Sequence, residues 1–187
     1  ANKNQAFFLK YFTNATHHPY DTPKNYPKLM KPDDRYSRYI NSLNYTDSAI
    51  GELIENLRLR NLLNNTIIAI TGDHGEAFGQ RHKKNQLHKH YLYEENIRSF
   101  LILSNPVIFQ QPIISSRIGS IGDVLDTLNT FTESTETKDT QGQNLIASPY
   151  QQRIAYFHKN THPDQWGLVD GNWKFIFTVQ ADLAELY

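Results

Sequence analysis

The sequence predicts an α/β fold: a sheet with flanking helices and an antiparallel hairpin at its C-terminal end. Three observations carry this prediction. Residues 66–70, "TIIAI", form a short, continuously apolar, β-branched run. From about 35 to 63, apolar side chains recur at spacings of three, four and seven. Residues 166–179, "WGLVDGNWKFIFTV", place Asp170-Gly171 between two alternating apolar runs, a strong hairpin signal.

Taken in order, "AFFLKYFTN" (6–14) reads as a buried strand, short and aromatic. Four prolines between Pro19 and Pro32 make the next segment a loop. Asp33 or Asp34 can cap the helix that follows. Its stripe runs through Tyr36, Tyr39, Ile40, Leu43, Ile50, Leu53, Ile54 and Leu57, and Asp47 falls on the same stripe. "TIIAI" is apolar throughout, so it is expected to be buried on both faces in a parallel sheet. The polar, His-rich stretch 76–98 reads as a long loop, and "SFLILS" (99–104) as the next strand. Residues 121–131 predict a short amphipathic helix, 132–144 a surface loop, and "RIAYFH" (153–158) another strand. The order is β, α, β, β, α, β-hairpin, with no internal repeat.

Composition narrows the function classes. The chain has 187 residues, enough for one domain with a real core or for part of a larger one. Its 19 basic residues balance 19 acidic ones, which argues against a nucleic-acid surface or a polybasic membrane patch. No apolar run approaches the ~20 residues that a membrane-spanning helix needs. There is no cysteine, which removes disulfides, thiolate metal sites and a Cys nucleophile from these residues. Asn14, Asn44 and Asn64 each begin an Asn-x-Thr triplet, a pattern of little weight in an Asn-rich chain.

In open α/β sheets, ligands bind at the carboxyl ends of strands. "TIIAI" ends in Gly72-Asp73-His74-Gly75, and His17 and His18 follow the preceding predicted strand. If the two strands are neighbours, all four side chains reach one crevice. Asp73 offers a hard anionic oxygen and His74 a neutral nitrogen, together two ligands of a divalent cation. The bland alternative is a turn capped by Asp73 with an incidental His74. Two donors also leave most of a coordination shell to be filled from elsewhere. His82, His88, Lys89, His90 and Arg98 bring cationic and imidazole groups that suit an anionic substrate, although a solvated polar loop accounts for such a run equally well. The spacing of His82, His88 and His90 matches no zinc motif.

These segments fall into a recognisable order. "TIIAITGDHGEAFGQ" followed by "HKHYLYEENIRSFLIL" resembles the sulfatase branch of the alkaline-phosphatase superfamily. "FFLKYFTNATHHPY" is similar to that family's strand and His-x-Pro-Tyr loop, and "RYINSLNYTDSAIGELIENLRLRNLLNNT" to its Tyr-x-Asp-x-x-x-Gly helix. "GDVLDTLNTF", "QGQNLI", "WGLVDGNWKFIF" and "AELY" follow in the family's order.

The resemblance implies a partial alkaline-phosphatase-like sheet and metal-assisted hydrolysis of a sulfate ester on a small molecule or glycan. It implies Asp73 and His74 as metal ligands, with Ca2+ leading over Mn2+ and Zn2+. His17 would contact the leaving group, with His18 as fallback. Lys89 or His88 would bind the sulfuryl group, and Arg98 is a further substrate contact. The family's acidic pair and its Cys/Ser-x-Pro-x-Arg nucleophile motif do not occur in these 187 residues. A formylglycine would therefore lie outside them. The chain is expected to be the C-terminal portion of the catalytic domain, inactive alone, and to self-associate through the surface the rest would cover. A Ser or Thr nucleophile would instead point to phosphate esters, as in a phosphatase or phospho-group transferase. A non-catalytic binding module that keeps the fold is the remaining alternative. A smaller departure is Arg98-Ser99-Phe100, where the family often has Arg-Val-Pro.

Overall fold

The structure is a computed structural model that describes residues 5–132 and 140–187. The chain divides into two compact units, Ala1–Leu63 and Asn64–Tyr187. The predicted loop 132–144 lies partly outside the described residues.

The first unit is a long helix with a loop strapped along it. The helix α1 spans Arg35–Leu59, and the Asp34 side chain caps it by accepting from the Ser37 amide at 2.9 Å. This satisfies one of the four amides that a helix start leaves without a partner. The predicted apolar stripe is only half covered, with Tyr36, Leu43 and Leu53 exposed, and Asp47 is exposed with it. The fully buried side chains of α1 are polar instead: Ser37, Asn41 and Ser42. The reason is the Pro-rich loop. Asn41 donates to the Met30 carbonyl and accepts from the Met30 amide, both at 2.9 Å. Tyr26 shares a 2.5 Å hydrogen bond with Ser48 and packs edge-on against Tyr45.

The expected buried strand at 6–14 is not one. No strand is assigned there, and no partner strand pairs with it among the described residues. Phe8 is 85% exposed and Phe12 77%. A strand is defined by its ladder, so an aromatic extended segment without a neighbour has neither backbone partners nor cover.

The second unit holds two antiparallel sheets. The strands β1 (Ile68–Thr71) and β2 (Leu101–Ser104) pair through Ile68–Ser104 and Thr71–Leu101. β1 was expected in a parallel sheet with both faces buried, but it is antiparallel to β2 and every second residue is exposed. A two-stranded ribbon cannot cover both its faces. Between these strands lies one turn of helix, α2 (Glu94–Ile97), within the stretch expected to be loop. The helix α3 spans Asp123–Asn129, shorter than the predicted 121–131.

The C-terminal sheet is a four-stranded meander of β3 (Ala155–Lys159), β4 (Gln165–Asp170), β5 (Trp173–Thr178) and β6 (Leu183–Leu186). The predicted hairpin is its centre: Asp170 pairs with Trp173 across a two-residue turn whose Gly171 has φ +56°, a conformation glycine adopts without penalty. One face of this sheet is anchored to the loop before α2. The Gln165 side chain accepts from the Leu92 amide at 3.0 Å, and Ile176 is wholly buried.

Candidate active site at the Gly-Asp-His-Gly turn

The end of β1 is held by hydrogen bonds to the segment before β2. Thr71 Oγ1 donates to the Phe100 carbonyl at 2.7 Å, and the Ser99 hydroxyl donates to the Gly72 carbonyl. The Gly75 amide donates to the Asn96 carbonyl at 2.8 Å. The Ser99 that departs from the expected Arg-Val-Pro pattern is thus itself a tie on the turn. Gly75 is a glycine for want of space: a Cβ there would sit 2.3 Å from the Glu95 carbonyl oxygen and 3.0 Å from that of Arg98. The turn therefore lies directly on the backbone of α2.

On this turn the Asp73 side chain is 85% exposed, and its Oδ1 accepts from the His74 amide at 3.0 Å. The His74 ring meets the Gly75 carbonyl through Nδ1 at 2.8 Å. A carbonyl only accepts, so Nδ1 carries the proton and Nε2 the lone pair in the neutral ring. That Nε2 stands 3.6 Å from Asp73 Oδ2. A carboxylate oxygen and an imidazole lone pair at this separation fit two positions on one divalent cation. No group of three or more potential ligands occurs among the described residues, so this turn supplies part of a coordination shell.

The stretch from 76 to 93, expected to be a solvated loop, is built around two crossed His–Glu pairs. His88 Nδ1 meets Glu76 Oε2 at 3.0 Å, and His82 Nδ1 meets Glu95 Oε1 at 2.8 Å. The Glu76 side chain is only 9% exposed. The His88 ring packs on the His74 ring at 4.1 Å between centroids, which brings His88 to the turn. The His82 ring stacks on Tyr93 at 4.0 Å. Asn85 and Asn96, both buried, exchange two hydrogen bonds of 2.9 and 3.0 Å and tie the loop to α2. Leu87, next to His88, has φ +80°, a conformation that costs an L-residue about 1–2 kcal/mol. The Leu87 amide still donates to the Ala77 carbonyl at 2.9 Å.

The other expected site residues are placed differently. Lys89 is exposed, and its carbonyl accepts weakly from Thr161. Arg98 is exposed and lies 4.0 Å from Glu94. His90 is exposed, so His82, His88 and His90 do not form a metal triad. His17 and His18 belong to the first unit, where His17 Nδ1 meets the His18 carbonyl at 2.8 Å and His18 packs edge-on against the buried Tyr20. A cavity of about 300 Å³ beside α2 is lined by Arg81, His82, Tyr93, Glu94, Lys174 and Tyr187, and neither Asp73 nor His74 lines it.

Glu76 and Glu95 were not singled out from the sequence. The signal was present, since each stands twelve or thirteen residues from a histidine in a loop. Pairing over that distance needs the fold, however, and no local spacing shows it. Glu95 also makes the region acid-sensitive. Burial pushes its carboxyl up, but hydrogen bonds from His82, its own backbone and Asn85 outweigh that and hold it below its ordinary 4.5. A carboxyl depressed in the native state stabilises fully above its unfolded pKa, and the contribution is lost as pH falls through the native value. Glu95→Gln is therefore expected to lower stability at neutral pH and to flatten its decline below about pH 4.5. Urea midpoints across pH 3–7, in roughly half-unit steps, check this; parallel curves for the two proteins would contradict it.

A family profile described as Sulfatase matches residues 1–135. No curated protein matches the sequence. Among solved structures, a protein from Bacteroides thetaiotaomicron described in connection with the metabolism of multiple glycosaminoglycans is 18% identical. It aligns with a TM-score of 0.62 over 87% of this chain and 38% of its own. A second protein from the same organism, described as a sulfatase, is 19% identical, with a TM-score of 0.64 over 83% of this chain and 37% of its own. At such identities the likeness shows the fold. The chain spans less than two-fifths of the length of these structures.

Proposed function

The chain belongs to the sulfatase family, and from that premise we propose that it is the C-terminal portion of a catalytic domain that hydrolyses sulfate esters. The observation that carries the reading is the Asp73–His74 turn: an exposed carboxylate and an imidazole lone pair 3.6 Å apart, with the His88 ring against His74. The glycosaminoglycan connection of one structural neighbour supports a sulfated glycan as substrate class.

In this reading Asp73 and His74 hold a divalent cation, with Ca2+ leading over Mn2+ and Zn2+. Bound there, such a cation would supply charge neutralisation for an anionic ester and polarise a nucleophile. His88 binds a sulfuryl oxygen. Lys89 and Arg98, both exposed, are secondary contacts for an anionic substrate. His17 donates a proton or hydrogen bond to the leaving oxygen, with His18 beside it. The nucleophile and the remaining ligands come from residues outside these 187, which hold no cysteine to become a formylglycine.

The exposed aromatic side chains of 6–14 in the first unit and, separately, the open β1–β2 ribbon of the second each fit cover from residues outside these 187. The isolated 187 residues are therefore expected to give no turnover of 4-nitrophenyl sulfate and to elute larger than a monomer on sizing. The full-length protein should turn the substrate over and contain a stoichiometric divalent metal by elemental analysis. Efficient hydrolysis by the isolated chain would overturn the fragment reading. Hydrolysis of 4-nitrophenyl phosphate but not the sulfate by the full-length protein would overturn the choice of ester.

A further inference from the structure

We propose that Glu76 is the positioning residue of His88: it fixes which ring nitrogen carries the proton and holds the ring where a substrate oxygen meets Nε2. The inference rests on the sulfatase reading for what His88 does, but not for how it is held.

The geometry is specific. His88 Nδ1 lies 3.0 Å from Glu76 Oε2. An ionised carboxylate accepts and never donates, so the proton between them belongs to Nδ1. Any contact of the ring with a substrate oxygen then runs through Nε2. The carboxylate thereby sets the orientation of the ring and the edge it turns to a substrate, the division of labour found wherever a buried acid orients a working histidine.

Several further features show that the pair is built rather than incidental. The Glu76 side chain is nine-tenths buried, where an unpaired carboxylate is costly. Among the described residues its second oxygen, Oε1, has no hydrogen-bond partner, so the contact with His88 is what compensates its burial. Leu87 is held at φ +80° immediately before His88, so backbone strain is tolerated in delivering this ring. Glu76 also follows Gly75, whose backbone is pressed against α2, so the carboxylate issues from a fixed point. The face of the ring packs on His74. Edge and face are thus both determined.

The test has an arm that needs no turnover. In full-length protein labelled with ¹⁵N-histidine, ring-nitrogen shifts are read in mildly alkaline solution, where an ordinary imidazole (pKa ~6.5) is neutral. Wild-type His88 is expected as the Nδ1–H form. In Glu76→Ala it should revert to the Nε2–H form that a histidine side chain favours in water. Glu76→Gln, which keeps an acceptor oxygen, should retain the Nδ1–H form at least in part. An Nε2–H signature in the wild type, or an unchanged signature in Glu76→Ala, would overturn the proposal, and the wild-type measurement decides even if a variant does not fold. In the kinetic arm, Glu76→Ala should lower kcat for a sulfate ester by about 10–100-fold with KM little changed, the range typical of losing a partner that orients a functional histidine. Glu76→Gln should recover part of that loss. A fall in kcat that glutamine does not relieve, with the tautomer unmoved, would show a merely structural role. If the wild type hydrolyses no sulfate ester but shows the Nδ1–H signature, the sulfatase reading fails and the positioning of His88 stands.

Discussion

On the proposed sulfate-ester hydrolysis, Gly75→Ala is expected to lower kcat of the full-length protein by about 10²-fold, because a displacement near 1 Å in a catalytic constellation has an effect of that order. The new methyl group would sit 2.3 Å from the Glu95 carbonyl oxygen and 3.0 Å from that of Arg98. Both are backbone atoms of α2 and its C-terminal end, so neither can swing aside as a side chain would. The turn must lift, and the Gly75–Asn96 hydrogen bond of 2.8 Å is lost with it. Asp73 and His74 are displaced with the turn, and their placement against the His88 ring changes. Overpacking of this kind also lowers stability by about 1–3 kcal/mol. Gly51 is the control. It lies inside α1 with nothing within 4 Å of a built Cβ, so Gly51→Ala should leave kcat alone and stabilise the fold by about 0.5–1 kcal/mol. Steady-state kinetics and urea midpoints on the two variants separate the effects. Wild-type kcat in Gly75→Ala would show that the turn tolerates a side chain, and the site as drawn would be wrong.

The largest effect on stability is expected at Asp123, remote from the turn in sequence. Its side chain is wholly buried at the start of α3. Oδ2 accepts from the Ser120 amide at 2.6 Å, and Oδ1 accepts from the Gln143 amide at 2.8 Å and pairs with Arg153. The carboxylate thus joins three segments: the turn before α3, the chain at 143 and the approach to β3. Asp123→Ala leaves two amides and a guanidinium without their acceptor. Breaking a buried ion pair on one side costs about 3–5 kcal/mol. Arg153 is one-third exposed and can recover water, so the lower end of that range applies. Asp123→Asn keeps one acceptor oxygen and should cost about half as much. Urea unfolding of the two variants checks the order. A midpoint for Asp123→Ala close to that of wild type would mean that the 141–150 segment is held by other ties, such as Arg117 on the Leu145 and Ala147 carbonyls.

What the sequence revealed, and what it hid, divides along the range of the interactions. The α1 start was legible because a cap is local: Asp34 needs only Ser37, three residues on. The β4–β5 hairpin was legible because Asp170-Gly171 encodes its own turn. The turn residues Asp73 and His74 were legible because the glycines around them mark a sharp change after an apolar run. Strand partners were not legible. "TIIAI" reads as doubly buried from composition, yet it pairs antiparallel to β2 with alternate residues open. Residues 6–14 read as a strand, but nothing in a nine-residue window states whether a neighbour is present. The two glutamates behind His82 and His88 were hidden for the same reason. A carboxylate in Gly-Asp-His-Gly-Glu looks like surface, and only the fold shows that Glu76 turns inward.

The strap along α1 has a thermal consequence. Its contacts combine hydrogen bonds of Asn41 with Met30 and of Tyr26 with Ser48 with the ring contacts Tyr20–Tyr39 and Tyr26–Tyr45. Exposing polar surface lowers the heat capacity, whereas exposing apolar surface raises it. On local opening of this loop the freed polar groups offset part of the rise that the tyrosine rings would cause. Its opening free energy should therefore curve less with temperature than that of a wholly apolar contact of the same area, and it should lose less on cooling.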